Sequence, residues 1–388
     1  MLQNRRIFKK HQHTLPSPQT YPYQWLWDSC FHAIILSYFD LKDAKKELLS
    51  VIQKQFDNGM VPHMIYWEKE TKTDFPVIEW GKEDTSTITQ PPMLAYVVWE
   101  IFKKDPDKEF LKKIYPSLVK FYNYFLAERD PHRNHLVSLV NPDESGEDNS
   151  PRFDVSLGLP AKHSFEENFQ KRLELIEHNK ECNFDTVLCM RNFFWFKDVP
   201  MNAIFKENLE IMSKLSGQLA DKENEAFYQD KAERAREGMR ELMLEDKVFW
   251  SIYFDSEKGS FQKVKIKTWA IFAPLFAGIP TKEEADYIVE RFLLNNSEFN
   301  TPFMVPTVSL AEPSFDASNF WRGPVWIGVN WFVVKGLKRY GYDNLAKKIT
   351  EGSLSLLGKS GFREYFNPLT GEGLGAKDFT WGGLVLDM

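Results

Sequence analysis

The chain of 388 residues is poor in cysteine, and its three cysteines match neither a disulfide framework nor a zinc-binding spacing. Long hydrophobic runs are also missing. No segment approaches a membrane span, and no apolar stretch of signal-peptide length follows the basic amino terminus. Positive charge is not in excess either: the formal net charge is -6, which disfavours a general affinity for nucleic acids. We therefore expect a cytoplasmic protein without a membrane or nucleic-acid partner. The sequence does not indicate the oligomeric state.

Motifs for several common chemistries are missing as well. The eight histidines form no HExxH pattern and join no cysteine pair, which argues against a metal site. There is no GxSxG elbow, no GxxxxGK[ST] loop and no GxGxxG after a strand. The segment GEGLGAKD only superficially resembles a phosphate loop, because no predicted strand precedes it. The sequence therefore indicates neither metal nor nucleotide chemistry.

Helical periodicity dominates what is present. Hydrophobic residues make up 43% of the chain, as in folded globular proteins. Asp107 and Thr281 are predicted helix caps, and Asp28 could be another. One strand-like stretch, 248–254 followed by 261–267, predicts a small hairpin. Apolar positions at three-and-four spacing predict helices near 29–39, 42–56, 89–104, 107–127, 200–220, 222–245, 283–294, 325–340 and 343–358.

Long connections separate these helices, at 57–88, 141–165, 296–324 and 361–382, and connections of this length are usually functional. No Ser/Gly-rich linker or charge block divides the chain, so we predict a single domain over 1–388. Antiparallel helix pairs can close into an all-α, α/α barrel whose loops gather at one mouth. A helical-repeat solenoid is the competing arrangement, but no repeat of about 34 or 40 residues is present.

Carboxylates are dense in one of these connections, NPDESGEDNSPRFD at 141–154. A solvated acidic turn is the plain interpretation. However, Gly146 permits a tight turn, and Arg152 could hold one acid ionised while another, such as Asp148, is kept protonated. That arrangement suits a general acid.

A second carboxylate-bearing segment lies at 361–383. Glu364 could be a catalytic base, or it could merely pair with Arg363 or Lys377 in a Gly-rich terminal loop. Glycoside hydrolysis requires two carboxylates in one pocket, because one protonates the leaving oxygen while the other activates water. The two segments together offer such a pair.

Aromatic residues accompany both segments. Trp27 and Asp28 could stack on a sugar and accept its hydroxyls, or they could be core and helix cap. Trp321 and Arg322 lie beside a Gly-Pro break, where the arginine could orient a carboxylate. Gln90 could cap a helix, or it could form a hydrogen bond with a sugar hydroxyl.

Together these segments resemble glycoside hydrolase family 63, especially its short bacterial and archaeal members that act on mannosylglycerate or glucosylglycerate, with a more distant likeness to trehalases. The matching text is YPYQWLWDS, TQPP, ESGEDNSPRFD, FAPLFAGIP, FWRGPVWIGVNW and EYFNPLTGEGLGAKDFTW, in family order. The resemblance covers most of the chain. It implies an (α/α)6 barrel, inversion of anomeric configuration and no cofactor.

Matched position by position, the resemblance implies that Asp148 is the proton donor and Glu364 is the base that activates water. It also implies a glycone pocket lined by Trp27, Asp28, Gln90, Trp321, Arg322 and Trp381, with Tyr23 and Tyr365 close by. The large members' N-terminal β-sandwich has no counterpart here, and PRWD has become PRFD.

The hypothesis is thus an inverting α-glycosidase for a small carbohydrate substrate, a glucoside or mannoside such as glucosylglycerate or mannosylglycerate. A trehalase-like or α-oligoglucoside hydrolase and an inactive carbohydrate-binding barrel are the alternatives. Segment 155–200 is either an outer helix or a lid, in which a basic residue such as Arg191 could meet an acidic aglycone.

Overall fold

A computed structural model describes residues 1–68, 75–76 and 78–388, so the predicted connection 57–88 lies partly outside the described residues. The fold is helix-rich, as predicted. Its α-helices are α1 Leu26–Leu36, α2 Leu41–Val51, α3 Leu94–Lys104, α4 Lys108–Glu128, α5 Phe165–Glu181, α6 Thr186–Asn192, α7 Val199–Gln218, α8 Lys222–Leu242, α9 Ala273–Phe276, α10 Lys282–Ile288, α11 Ile327–Arg339 and α12 Asp343–Ser360.

The strands form small antiparallel sheets. The pairs are β1 Arg5–Phe8 with β2 His11–Thr14, β3 Gln24–Trp25 with β4 Met64–Ile65, β6 Leu244–Glu245 with β7 Val248–Phe249, and β10 Arg363–Phe366 with β11 Gly373–Lys377. A three-stranded sheet contains β5 Phe196–Lys197, β8 Ile252–Asp255 and β9 Ser260–Lys263 in the order β5-β8-β9. The predicted hairpin is β8–β9. The expectation of a single hairpin was wrong, because the 361–382 segment also pairs with itself.

Helix boundaries follow the capping chemistry. Asp107 and Thr281 cap α4 and α10 as predicted, and Thr281 forms a capping box with Glu284. Asp28 is not a cap: Trp25 precedes α1, and Asp28 lies in its first turn. The third helix begins later than predicted because consecutive prolines at 91 and 92 disfavour helical backbone in the residues before them.

Two kinds of helix can be distinguished by burial. Every residue of α7 from 199 to 209 is buried. The buried Asn208 Oδ1 accepts hydrogen bonds from the Tyr96 amide at 2.8 Å and from the Tyr122 hydroxyl at 2.9 Å. In contrast, α8 buries a single stripe that includes Tyr228, Ala232 and Met239. Helices with one apolar stripe lie outside, against helices that are apolar on most sides.

Packing follows the chain order. The helix α1 packs on α2, α7 on α8, and α11 on α12. A second series of contacts joins α1 to α3, α3 to α7, α7 to α9, α9 to α11, α11 to the 3-10 segment Thr380–Asp387, and that segment back to α1. The connections between these elements carry the residues of the site described next.

Candidate active site

A cavity of about 670 Å³ collects the connections that the sequence singled out. Its described lining comes from 20–28, 143–148, the first half of α5, 318–326 and 364–381, with a smaller contribution from 63–64, 75–76, 78–80 and Gln90. Of the predicted site residues, eight line this cavity: Asp148, Glu364, Trp27, Asp28, Gln90, Trp321, Tyr365 and Trp381.

Asp148 follows a 3-10 turn, Pro142–Ser145, which ends at Gly146 with a left-handed φ of 72°. A side chain at Gly146 would collide with Trp27, because a Cβ there would lie 2.3 Å from Trp27 Cζ2. Arg172 Nη1 lies 2.7 Å from Asp148 Oδ2. Burial raises the pKa of Asp148 to about 6, although the Arg172 cation opposes the shift. The carboxyl thus keeps its proton to a higher pH than an exposed aspartate does.

Glu364 lies on β10 with only 4% of its surface exposed. The Tyr21 hydroxyl donates to Oε1 at 2.6 Å, and the Ala376 amide donates to Oε2 at 2.7 Å. Burial raises the pKa of Glu364 to about 7, the two donors lower it, and the negative charge of Asp148 raises it further. The two carboxyls therefore influence each other's ionisation across the cavity.

Tryptophans form one wall of the cavity. Trp321 stacks on Trp326 with ring centroids 3.8 Å apart, and Trp27 meets Trp381 edge-on at 5.0 Å. Trp381 Nε1 donates to Asp28 Oδ1 at 2.7 Å. Flat apolar faces beside a buried carboxylate suit a pyranose ring, which presents C–H groups on its faces and hydroxyls at its edge.

Two predicted site residues are not in the described lining of the cavity. Arg322 is buried in a bidentate pair with Asp154, at 2.9 and 2.8 Å, because a buried guanidinium needs a counter-charge. Tyr23, which was predicted to lie close by, packs edge-on against Tyr66 at 4.6 Å and also contacts Trp25 and Phe75 of the lining.

Arg152 pairs with a neighbouring acid of the same loop, Glu147, rather than with Asp148. It donates to Glu147 at 3.0 Å and to Asp198 at 3.0 Å, and Trp269 Nε1 also donates to Glu147. These contacts brace the loop that carries Asp148, but the cation beside Asp148 is not Arg152.

That cation, Arg172, was missed from sequence, as was Tyr21. Segment 155–200 contributes α5 to the cavity, through a face that holds Phe165, Phe169 and Arg172. Their spacing of four and then three residues is that of one helix face and could have revealed it. Arg191, which was considered instead, is exposed on α6.

No group of three or more His, Cys, Asp or Glu side chains is placed to hold a metal ion in the described part of the chain. Across 1–68, 75–76 and 78–388, no helix combines the length and the apolar character that crossing a membrane requires.

Comparison with known proteins gives a consistent family. The model of the mannosylglycerate hydrolase MGH1-like glycoside hydrolase domain matches residues 21–382. A mannosylglycerate hydrolase of Thermus thermophilus is 32% identical over 95% of this chain and 94% of its own length. A glucosylglycerate hydrolase of Mycolicibacterium hassiacum is 27% identical over 96% of this chain and 93% of its own.

A solved structure is similar throughout. The crystal structure of a family 63 mannosylglycerate hydrolase from Thermus thermophilus, in complex with Tris and D-glycerate, has a TM-score of 0.91 at 31% identity, covering 100% of this chain and 98% of the other. The chain therefore belongs to the mannosylglycerate hydrolase MGH1-like branch of glycoside hydrolase family 63 and is a glycoside hydrolase.

Proposed function

We propose that the protein hydrolyses a small α-hexoside with inversion, with Asp148 protonating the leaving oxygen and Glu364 activating water. The observation that carries this proposal is the pair of carboxyls with raised pKa values in one tryptophan-walled cavity. In an inverting reaction one carboxyl must be protonated while the other is ionised. Arg172 beside Asp148 and Tyr21 on Glu364 are the groups that set this balance.

The substrate class comes from the relatives, which are hydrolases of mannosylglycerate and glucosylglycerate. We propose a glucose or mannose unit held between Trp27, Asp28 and Trp381, with Gln90, Trp321 and Tyr365 nearby. A short three-carbon aglycone would extend toward α5. An inactive sugar-binding protein is a poorer account, since both carboxyls are present in the same cavity.

We also propose that the chain is one (α/α)6 catalytic domain. The series of contacts from α1 through α3, α7, α9 and α11 to the C-terminal 3-10 segment and back to α1 supports a closed inner ring, with α2, α8 and α12 outside it. The three free cysteines support a reducing, cytoplasmic setting.

The test is release of glucose and mannose from a panel containing glucosylglycerate, mannosylglycerate, trehalose and small α-glucosides. We expect Asp148→Asn and Glu364→Gln each to lower kcat by about a hundredfold or more. The matched control is Glu372→Gln, an exposed carboxylate in the same C-terminal hairpin, and it should keep wild-type activity.

Proton NMR of the first-formed sugar tests the stereochemistry. An α-hexoside cleaved with inversion gives the β anomer first, whereas retention gives the α anomer. Hydrolysis that survives either carboxyl substitution, or an initial α anomer, would refute the proposed mechanism.

A further inference from the structure

Arg322 lies where three segments of the chain meet. Its Nη1 donates to the Asn149 carbonyl at 3.2 Å and to Asp154 Oδ1 at 2.9 Å, and its Nη2 donates to Asp154 Oδ2 at 2.8 Å and to the Ala161 carbonyl at 2.7 Å. Arg322 and Asp154 are only 2% and 4% exposed. Because Asn149 directly follows Asp148, the guanidinium contacts the backbone of the acid's own loop.

The same connection also joins the acid's loop to the strand of the base. On one side, the Trp321 amide donates to the buried Asn149 Oδ1 at 2.9 Å. On the other side, the Val325 amide donates to the Phe366 carbonyl at 2.8 Å, and the Phe366 amide donates back at 2.9 Å, two residues beyond the base on β10. Residues 321–325 therefore form a short bridge between the two segments that carry the carboxyls.

Asp154 extends the cluster to a third element, α5. His163 Nε2 lies 3.0 Å from Asp154 Oδ1, and the next residue, Ser164, caps α5. This helix in turn places Arg172 Nη1 2.7 Å from Asp148 Oδ2. The ion pair therefore acts on the acid from two sides, through its loop and through the helix that carries its neighbouring cation.

A buried ion pair of this kind contributes more to geometry than to stability. The cost of removing both charges from water offsets much of their attraction. The two parallel hydrogen bonds of the guanidinium, however, fix the relative orientation of the groups that they join. In an inverting reaction the two carboxyls must leave room for one water between them, and a displacement of about 1 Å can cost roughly a hundredfold in rate.

We propose that the Arg322–Asp154 pair positions Asp148, holding the acid at its working distance from Glu364 without touching the substrate. The inference rests on the proposed hydrolysis with Asp148 as the acid. It makes Arg322 a positioning residue, in place of the sugar contact that the sequence resemblance implied.

The test compares two substrates that differ in their need for an acid. One is the hexoside of the panel that the wild type cleaves fastest, and the other is the α-fluoride of the same sugar. In the fluoride, water attacks the anomeric carbon, Glu364 takes the proton of the water, and fluoride leaves with the electrons of the C–F bond, so no proton donor is needed. Asp148→Asn is the reference and should lose far more activity on the hexoside than on the fluoride.

Arg322→Lys should show the same selective loss. The lysine keeps a positive charge beside Asp154 but cannot form the bidentate fork, so the acid's loop is no longer held in place. We expect kcat for the hexoside to fall at least about tenfold more than kcat for the fluoride, because only the hexoside depends on where the acid lies.

Two further variants separate this role from a loss of folding, which denaturant titration measures for each. Asn149→Ala removes the acceptor of the Trp321 amide while leaving the ion pair intact, and it should also lose activity selectively on the hexoside. Arg339→Lys is the matched control. Arg339 donates to both carboxylate oxygens of Glu207, at 2.8 and 2.7 Å, and neither residue belongs to the described lining of the cavity. This control should leave the ratio of the two rates unchanged.

Several outcomes decide against the inference. Equal losses on both substrates in Arg322→Lys and Asn149→Ala would mean a general collapse of the cavity, and unchanged rates would mean that the contacts do not matter; either result overturns the proposal. A raised KM for both substrates with kcat unchanged overturns it too, since Arg322 would then bind the sugar. If Asp148→Asn loses both substrates equally, or if the wild type cleaves neither, the proposed function fails and this inference fails with it.

Discussion

The two central carboxyls have similar proton affinities, and the side chains around them set the difference. Burial raises both pKa values, to about 6 for Asp148 and about 7 for Glu364. Because the two charges repel, the pair holds one shared proton over much of the interval between these values. The productive arrangement has that proton on Asp148, although the higher pKa of Glu364 makes this the less populated form. Tyr21 favours the productive form because it stabilises ionised Glu364, whereas Arg172 opposes it because it stabilises ionised Asp148.

The pH dependence follows from this pair. Below about pH 6 both carboxyls are protonated and no base remains, whereas above about pH 7 both are ionised and no acid remains. We expect a bell-shaped profile of kcat/KM with its maximum between these limits. A rate that stays flat from pH 5 to about pH 9 would contradict the shared-proton account.

Tyr21→Phe tests the base directly. The hydroxyl stabilises the ionised form of Glu364, so its loss should raise the pKa of Glu364, which sets the upper limit of the profile near pH 7. The alkaline limb should therefore move up by about one unit, and the maximum should fall because less of the enzyme has Glu364 ionised and Asp148 protonated. Tyr340→Phe is the control, because its hydroxyl donates to the Pro280 carbonyl well away from the cavity lining. The control should leave both limbs in place.

At the scale of elements, the loop after the Pro142–Ser145 turn places the acid. Gly146 adopts a left-handed backbone, and its missing side chain lets Trp27 lie against the loop. This close contact between Gly146 and Trp27 holds the start of α1 against the loop that carries Asp148. The glycone wall and the proton donor are therefore positioned by the same contact.

We expect Gly146→Ala to lower kcat/KM by about a hundredfold, because Trp27 must move away from a Cβ only 2.3 Å from its ring. Gly158→Ala is matched to it: Gly158 also has a left-handed φ, of 66°, but no heavy atom lies within 4 Å of its added Cβ. Both variants should lose about 1–2 kcal/mol of unfolding free energy from backbone strain. Denaturant titration measures the backbone strain in each variant, and kinetics measures the additional effect of displacing Trp27. Equal activity losses in the two variants would show that displacement of Trp27 does not cause the loss.

Sequence periodicity predicted long elements well and their ends less well. The amphipathic stripes of α4, α8 and α12 came directly from apolar spacing, whereas β10 and β11 were taken for a loop because the turn between them and their glycines hide the alternation. Ion pairs between residues far apart in sequence were the hardest feature to predict. Arg152 lies close to Asp154 in sequence, yet Asp154 binds Arg322 while Arg152 reaches Asp198. A cation's partner depends on tertiary burial, which spacing does not encode.

At the scale of the whole molecule, a buried ion pair links two cavity loops to α4. Arg129, which ends α4, is paired in a bidentate way with Glu144, at 2.8 and 2.6 Å, and both side chains are at most 1% exposed. Glu144 also accepts the amides of Thr89 and Val140. This pair therefore connects α4, the connection that carries Gln90 and the loop that carries Asp148.

Glu144→Gln should lower the free energy of unfolding by about 3–5 kcal/mol, since it leaves the Arg129 charge buried without its partner. Denaturant titration measures this loss, and Glu174→Gln, whose partner Lys171 is 42% exposed, should change it by less than about 0.5 kcal/mol. Activity should fall together with stability, because the same carboxylate holds the acid's loop. A double-mutant cycle with Arg129→Gln gives the decisive comparison: a coupling energy near zero would mean that the two side chains act independently and that the loop is held by its backbone contacts instead.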